Sequence, residues 1–132
     1  MAYRFTGFFA RPALALPSAL PAGAVWRPIN EPFSGIGVQL PVAPTTEEDV
    51  IRLLQAVGLG AVEDWIFLDY VCWGGQIDFV HGFGVRGGRA FGPIRSADDA
   101  QRVYLHLMRS FGIDDSDAMA FTPFRRGFWG ED

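Results

Sequence analysis

Two pairs of adjacent glycines, Gly74-Gly75 and Gly87-Gly88, interrupt a run of β-forming residues between Trp65 and Ile94. A two-residue hairpin turn of type I′ or II′ needs positive φ, which glycine adopts without steric cost, so each pair predicts a tight reversal. The result is a three-stranded meander over about residues 64–94, with Arg89 to Ile94 as its third strand. Counting back from the first pair sets Trp73 against Gln76, Cys72 against Ile77, Tyr70 against Phe79, Leu68 against His81 and Ile66 against Phe83. The last four of these pairs share one apolar face, expected to meet the core. The other face is mixed, with Trp65, Phe67, Asp69, Trp73 and Asp78 on it.

The same register puts Gly84 between Trp65 and Phe91 and Gly82 opposite Phe67, so that rings shield a glycine strip. Arg86 then faces Arg89, an unfavourable like-charge pair, and Glu63 falls opposite Arg86 as the carboxylate that would relieve it. Asp69 and Asp78 stand diagonally across the hairpin, roughly 7–8 Å apart by sheet geometry.

Outside the meander, Tyr3 to Phe9 alternates well enough for a first strand, although Phe8 breaks the pattern. Prolines punctuate an irregular excursion over about residues 10–34, anchored by Val25, Trp26 and Ile29, before a short strand from Gly35 to Leu40. Thr45 followed by Glu48 marks a helix start, and Val50, Leu53, Leu54 and Val57 form its apolar stripe before Gly58 (about residues 46–57). Ser96 to Asp99 repeats the capping logic for a second helix over about residues 97–111, with Ala100, Val103, Tyr104, Leu107, Met108 and Phe111 on one side. An aromatic tail over about residues 113–132 carries Phe121, Phe124, Phe128 and Trp129; so many rings predict docking, on the mixed sheet face or on the excursion.

These elements predict one α+β domain spanning residues 1–132: an antiparallel sheet of about four or five strands with two amphipathic helices on one face. The formal charge of −4 argues against a nucleic-acid partner, which calls for a basic stripe. All eleven basic residues are arginine, which excludes Schiff-base lysine chemistry and the lysine of phosphoryl-transfer sites. The single Cys72 fits a reducing compartment, and with no uninterrupted apolar stretch of ~18 residues the expectation is a cytoplasmic protein without membrane spans.

Gly82 to Gly87 satisfies G-x-G-x-x-G, but a strand rather than a helix follows it, so no dinucleotide site is expected. His81-Gly82-Phe83-Gly84-Val85 resembles the aromatic strand of an RNA-recognition motif, except that Val85 stands where that motif has a ring. No close ligand pair of the C-x-x-C or H-x-x-x-H kind occurs, so neither metal nor cofactor is expected. His81 is expected in the core and His106 at the edge of the second helix's stripe.

The functional expectation is therefore a small, acidic, non-catalytic binding module of the immunity or inhibitor type. Its partner would be another protein, with a basic one favoured and a second copy of the chain as a further option. The expected contact residues are Trp65, Phe67, Asp69, Trp73, Asp78 and Phe91, rings with a charged surround. The alternative is a hydrolase-like enzyme in which Asp69 and Asp78 divide acid and base roles; the competing structural expectation is that each acid pairs with an arginine, Arg125, Arg126 or one from the excursion.

Overall fold

The computed structural model describes residues 2–11, 22–44, 46–56, 63–73, 76–121, 124 and 128–129. Six strands form one antiparallel sheet: β1 (Ala2–Arg11), β2 (Val25–Ile29), β3 (Gly35–Gln39), β4 (Asp64–Trp73), β5 (Gln76–Arg86) and β6 (Arg89–Arg95). Their order is β2-β3-β1-β4-β5-β6, which makes β1 and β4 the central pair. Three helices accompany them, α1 (Glu47–Ala56), α2 (Ala100–Ser110) and α3 (Asp115–Met119). The class is α+β, as expected, with more strands than the meander alone announces.

The extra strand lies inside the stretch expected to be irregular. β2 contains Pro28, and it is an edge strand, where a missing N–H leaves no central ladder bond unmade. β6, the other edge, tolerates Pro93 for the same reason.

Residue parity on β1 explains why its alternation is imperfect. Phe5 and Phe9 point to one face and Phe8 to the other, and all three are buried because both faces are covered. α2 covers the first face: Tyr104, Leu107, Met108 and Phe111 pack with Phe5, Phe9, Ile66, Leu68 and Val80. α1 covers part of the second: Val50 and Leu54 pack with Phe8, Val38, Trp65, Phe67 and Phe83. The two helices therefore lie on opposite faces, not on one. An amphipathic stripe states that a helix is covered on one side, and nothing in its period says which side of a sheet receives it.

Local signals hold where chemistry is local. The Thr46 hydroxyl accepts from the Asp49 N–H at 3.1 Å, one residue beyond the predicted cap at Thr45, which lies outside the described residues along with Val57 and Gly58. Asp99 caps α2 through the Arg102 N–H, and Gly112 follows α2 with φ +87. Gly87 and Gly88 have φ of +57 and +80, the type I′ signature, and the strands they join bring Arg86 opposite Arg89. Gly74 and Gly75 lie outside the described residues, yet Trp73 pairs with Gln76 across them as predicted.

The register of that first hairpin departs from the prediction three residues in. Cys72 pairs with Ile77 as expected, but Val71 pairs with Phe79, leaving Asp78 as the extra residue of a β-bulge. Every pair beyond it moves by one: Tyr70 meets Val80, Leu68 meets Gly82 and Ile66 meets Gly84. Because side chains alternate with period two, this slip transfers His81 and Phe83 to the mixed face and Gly82 and Gly84 to the α2 face. It also makes Asp64, not Glu63, the acid beside Arg86, with Arg86 Nε 3.9 Å from its carboxylate.

The described part of the tail packs on the α2 face rather than on the mixed face. Phe124 stacks on Tyr70 at 4.4 Å, Phe121 meets Phe9 edge-on at 5.0 Å, and Trp129 stacks on Phe5 at 5.5 Å. Phe33, from the end of the excursion, joins Phe121 at 6.3 Å. The Tyr104 hydroxyl donates to the Ala118 carbonyl and ties α3 to α2. The rings are drawn there because the α2 face still has apolar surface to cover, whereas α1 already occupies the apolar end of the other.

Candidate partner-binding face

α1 shields only the Trp65 end of the mixed face. Trp65 and Phe67 are buried beneath it, Trp65 edge-on to Phe83 at 5.6 Å and Phe67 tilted against Phe8 at 5.8 Å. These two expected contact residues are core side chains. Phe91 is half-buried on the α2 face, paired with Gly84, so it too is separated from the proposed surface. Phe83 is likewise buried, so the strand that resembles an RNA-recognition motif has no ring there to offer a base.

Toward the β4–β5 turn the mixed face opens. Here β1 contributes Arg4 and Thr6, β4 contributes Asp69, Val71 and Trp73, and β5 contributes Phe79 and His81. Asp69 sits directly opposite Thr6 in the sheet, and its carboxylate accepts from Arg4 Nε at 3.1 Å, Arg4 Nη2 at 2.9 Å and Thr6 Oγ1 at 2.9 Å. This is a bidentate guanidinium–carboxylate pair reinforced by a hydroxyl, a geometry that suits arginine's planar fork. The expectation that Asp69 is paired with an arginine holds in kind. The partner seen comes from the first strand; Arg125 and Arg126 lie outside the described residues.

Asp78 falls at the bulge, exposed, and no longer stands diagonal to Asp69 in the ladder. The diagonal Asp69–Asp78 pair expected from hairpin counting is not formed in the ladder: Asp69 is engaged by Arg4 and Thr6, and Asp78 is displaced from its register. His81 takes the position opposite Asp69, half-buried and edge-on to Phe67 at 6.3 Å. Desolvation, followed by the Arg95 cation, pushes the His81 imidazole below its ordinary range, with Glu47 and Asp69 acting in the other direction. Arg95 itself lies over the Phe79 ring at 5.2 Å.

No hydrogen bond joins His81 to Asp69 among the described residues. Thr6 gives its hydroxyl to Asp69, and Cys72 is half-buried with the α2-side core, so neither is presented to His81 as a nucleophile. Among the described residues no group of three His, Cys, Asp or Glu side chains could hold a metal ion. His106 is exposed on α2.

Trp73 ends the row, 58% exposed. Beside Arg4 and Thr6 a hollow of about 530 Å³ continues the surface toward Gln39, Pro41 and the exposed Val42. Sequence parity finds Trp73 and Asp69; it misses Arg4, Thr6 and His81, because β1–β4 pairing is long-range and the bulge hides the register. The adjacent apolar residues Phe79 and Val80 are the one local sign of that bulge, since strict alternation cannot bury both on one face.

No helix among the described residues is long and apolar enough to cross a membrane. Compared with protein-family models, with curated proteins and with solved structures, the chain has no match.

Proposed function

We propose that this chain is a non-catalytic module that binds another protein through the open half of its mixed sheet face. The observation that carries the reading is Trp73, a large ring more than half exposed at the end of a rigid central strand. Exposed tryptophans on pre-ordered surfaces are the side chains most often found to dominate protein–protein binding energy. Around it, Arg4, Thr6 and Asp69 are locked by hydrogen bonds in advance, so little side-chain entropy is lost on docking.

The partner's expected chemistry is basic. The chain carries a charge of −4, and exposed Asp78 together with Glu47 and Glu48 of the α1 first turn contributes acids near this face. An immunity or inhibitor protein, which neutralises a partner by covering it, is the functional type this surface suits. A reducing, cytoplasmic setting suits the lone thiol of Cys72.

The test is capture from native lysate with the wild-type chain and Trp73→Glu side by side, after circular dichroism has shown equal folding. The expected result is a basic polypeptide retained by the wild type and lost by the variant. Equal retention by both, or none by either, overturns the reading. Light scattering distinguishes self-association: a dimer that Trp73→Glu converts to monomer makes the partner a second copy.

A further inference from the structure

At the far end of the sheet, on the face opposite Trp73, four charged residues form a row across four strands. Arg11 on β1 is the ladder partner of Asp64 on β4, Arg86 follows on β5, and Arg89 on β6 is the partner of Arg86. Three arginines thus stand in one row with a single carboxylate. Asp64 is already engaged: its Oδ1 accepts from the Gly87 N–H at 2.6 Å and lies 3.9 Å from Arg86 Nε. Arg86 Nη1 donates to the Phe111 carbonyl at the end of α2 at 2.6 Å. Gly112 keeps room for it, since a Cβ there would stand 1.9 Å from Arg86 Nη1.

Arg11 is the member that local structure leaves unsatisfied. Its guanidinium lies over the Phe111 ring at 4.3 Å and the Phe33 ring at 5.0 Å. Its Nε and Nη2 are buried and have no hydrogen-bond partner among the described residues. Those two nitrogens are the side-on fork of the guanidinium, the edge with which Arg4 holds the Asp69 carboxylate elsewhere on the same strand. Burial first, and then the Arg86 charge, hold Arg11 below its ordinary range, with Asp64 acting against both. A desolvated cation beside a second cation is costly unless an anion answers it. The cluster reaches solvent through Arg86 and Asp64, whose side chains are 46% and 28% exposed, and through exposed Arg89.

We propose that this row is a binding site for a phosphate group, with the Nε/Nη2 edge of Arg11 as its bidentate seat and Arg86 and Arg89 as flanking cations. The charge count selects phosphate over carboxylate. Three arginines against Asp64 leave two positive charges, which a phosphate dianion balances and a single carboxylate does not. The rings of Phe33 and Phe111 flank the seat and favour a ligand whose phosphate is carried on an apolar or aromatic body. The site lies on the other face and at the other end of β4 from Trp73, so it stands or falls independently of the protein-binding reading.

The experiment is NMR titration of the arginine Nε–H resonances of the full chain at low ionic strength, about pH 7.5, with inorganic phosphate, phenyl phosphate and acetate as probes. The expected result is a saturable shift of the Arg11 resonance with the phosphates, no shift of Arg4, and acetate binding at least tenfold weaker. Tighter binding of phenyl phosphate than of inorganic phosphate assigns an aryl or apolar phosphomonoester as the ligand, and equal binding assigns free phosphate. Arg11→Lys should weaken phosphate at least tenfold, because an ammonium cannot supply the fork. Should that variant fold poorly, Arg89→Gln, at an exposed position, should still weaken binding severalfold. A titration that does not saturate, acetate binding as tight as phosphate, or affinity unchanged in the folded variants overturns the proposal.

Discussion

Arg4 and Arg11 stand on the same strand and present the same pair of nitrogens, yet their situations are opposite. Arg4 is mostly exposed, 58% by side chain, and its fork is filled by Asp69. Arg11 is half-buried, lying over two rings, and its fork is buried without an acceptor among the described residues. If arginines were placed for stability alone, the buried one would hold the carboxylate. A buried donor left unmade costs about 1–3 kcal/mol, whereas an exposed pair gives back less than about 1 kcal/mol. The strand has thus placed its satisfied cation beside the proposed protein-binding face and its costly one at the cationic row. The difference is what the phosphate proposal addresses: an anion at the row would answer the fork that the described residues leave unmade.

The comparison can be broken most forcefully through the core that separates the two arginines. Phe9 is buried between them on the α2 face and touches Phe5, Phe121, Phe124 and Trp129. Phe9→Ala should cost about 3–5 kcal/mol in urea unfolding and loosen the tail with it. A cost below about 1 kcal/mol would mean that the α2 face does not carry the fold.

Next in size is Asp69→Asn, which removes the charge from the Arg4 fork. The expected loss is about 1 kcal/mol, because water can take over at exposed Arg4 and the amide oxygen can still accept from Thr6. Arg11→Met should behave in the contrary way. Replacing a desolvated, unpaired cation by an apolar chain of similar length should leave stability within about 1 kcal/mol of the wild type, or raise it, in phosphate-free buffer. If Arg11→Met proves the more damaging of the two, the guanidinium has an acceptor after all and the contrast between the forks collapses.

The smallest effect concerns pH. The folded state holds His81 below its ordinary value of 6.5, so near and below that pH the unfolded chain binds more protons than the folded one. Stability should therefore rise with pH through the window below 6.5 and be lost as pH falls through it. His81→Gln should flatten that part of the curve, measured by thermal melts between about pH 5 and pH 7.5. An unchanged slope would place the sensitivity elsewhere on the molecule.

Much of this could be read from the residues themselves, and the failures share a cause. The I′ turn at Gly87-Gly88, the cap at Asp99 and the stripe of α2 are local: each depends on a few neighbouring residues whose conformational preferences are intrinsic. The bulge at Asp78 was hidden because hairpin counting assumes one residue per partner, and a single insertion reverses the face of everything beyond it. That one residue moved His81 out of the core, separated Asp69 from Asp78, and exchanged Glu63 for Asp64 as the acid beside Arg86.

What the chain's own order of residues determined was therefore the inventory: an α+β protein, its hairpins, its two capped amphipathic helices, and Trp73 and Asp69 on a shared face. Only the tertiary structure decided that the helices take opposite faces, that Arg4 reaches Asp69, and that Arg11, Arg86 and Arg89 fall in one row with Asp64. The physical reason is that propensity and periodicity act over a few residues. Which strand lies beside which, and in what register, is settled by contacts between residues far apart in sequence, which no local preference encodes.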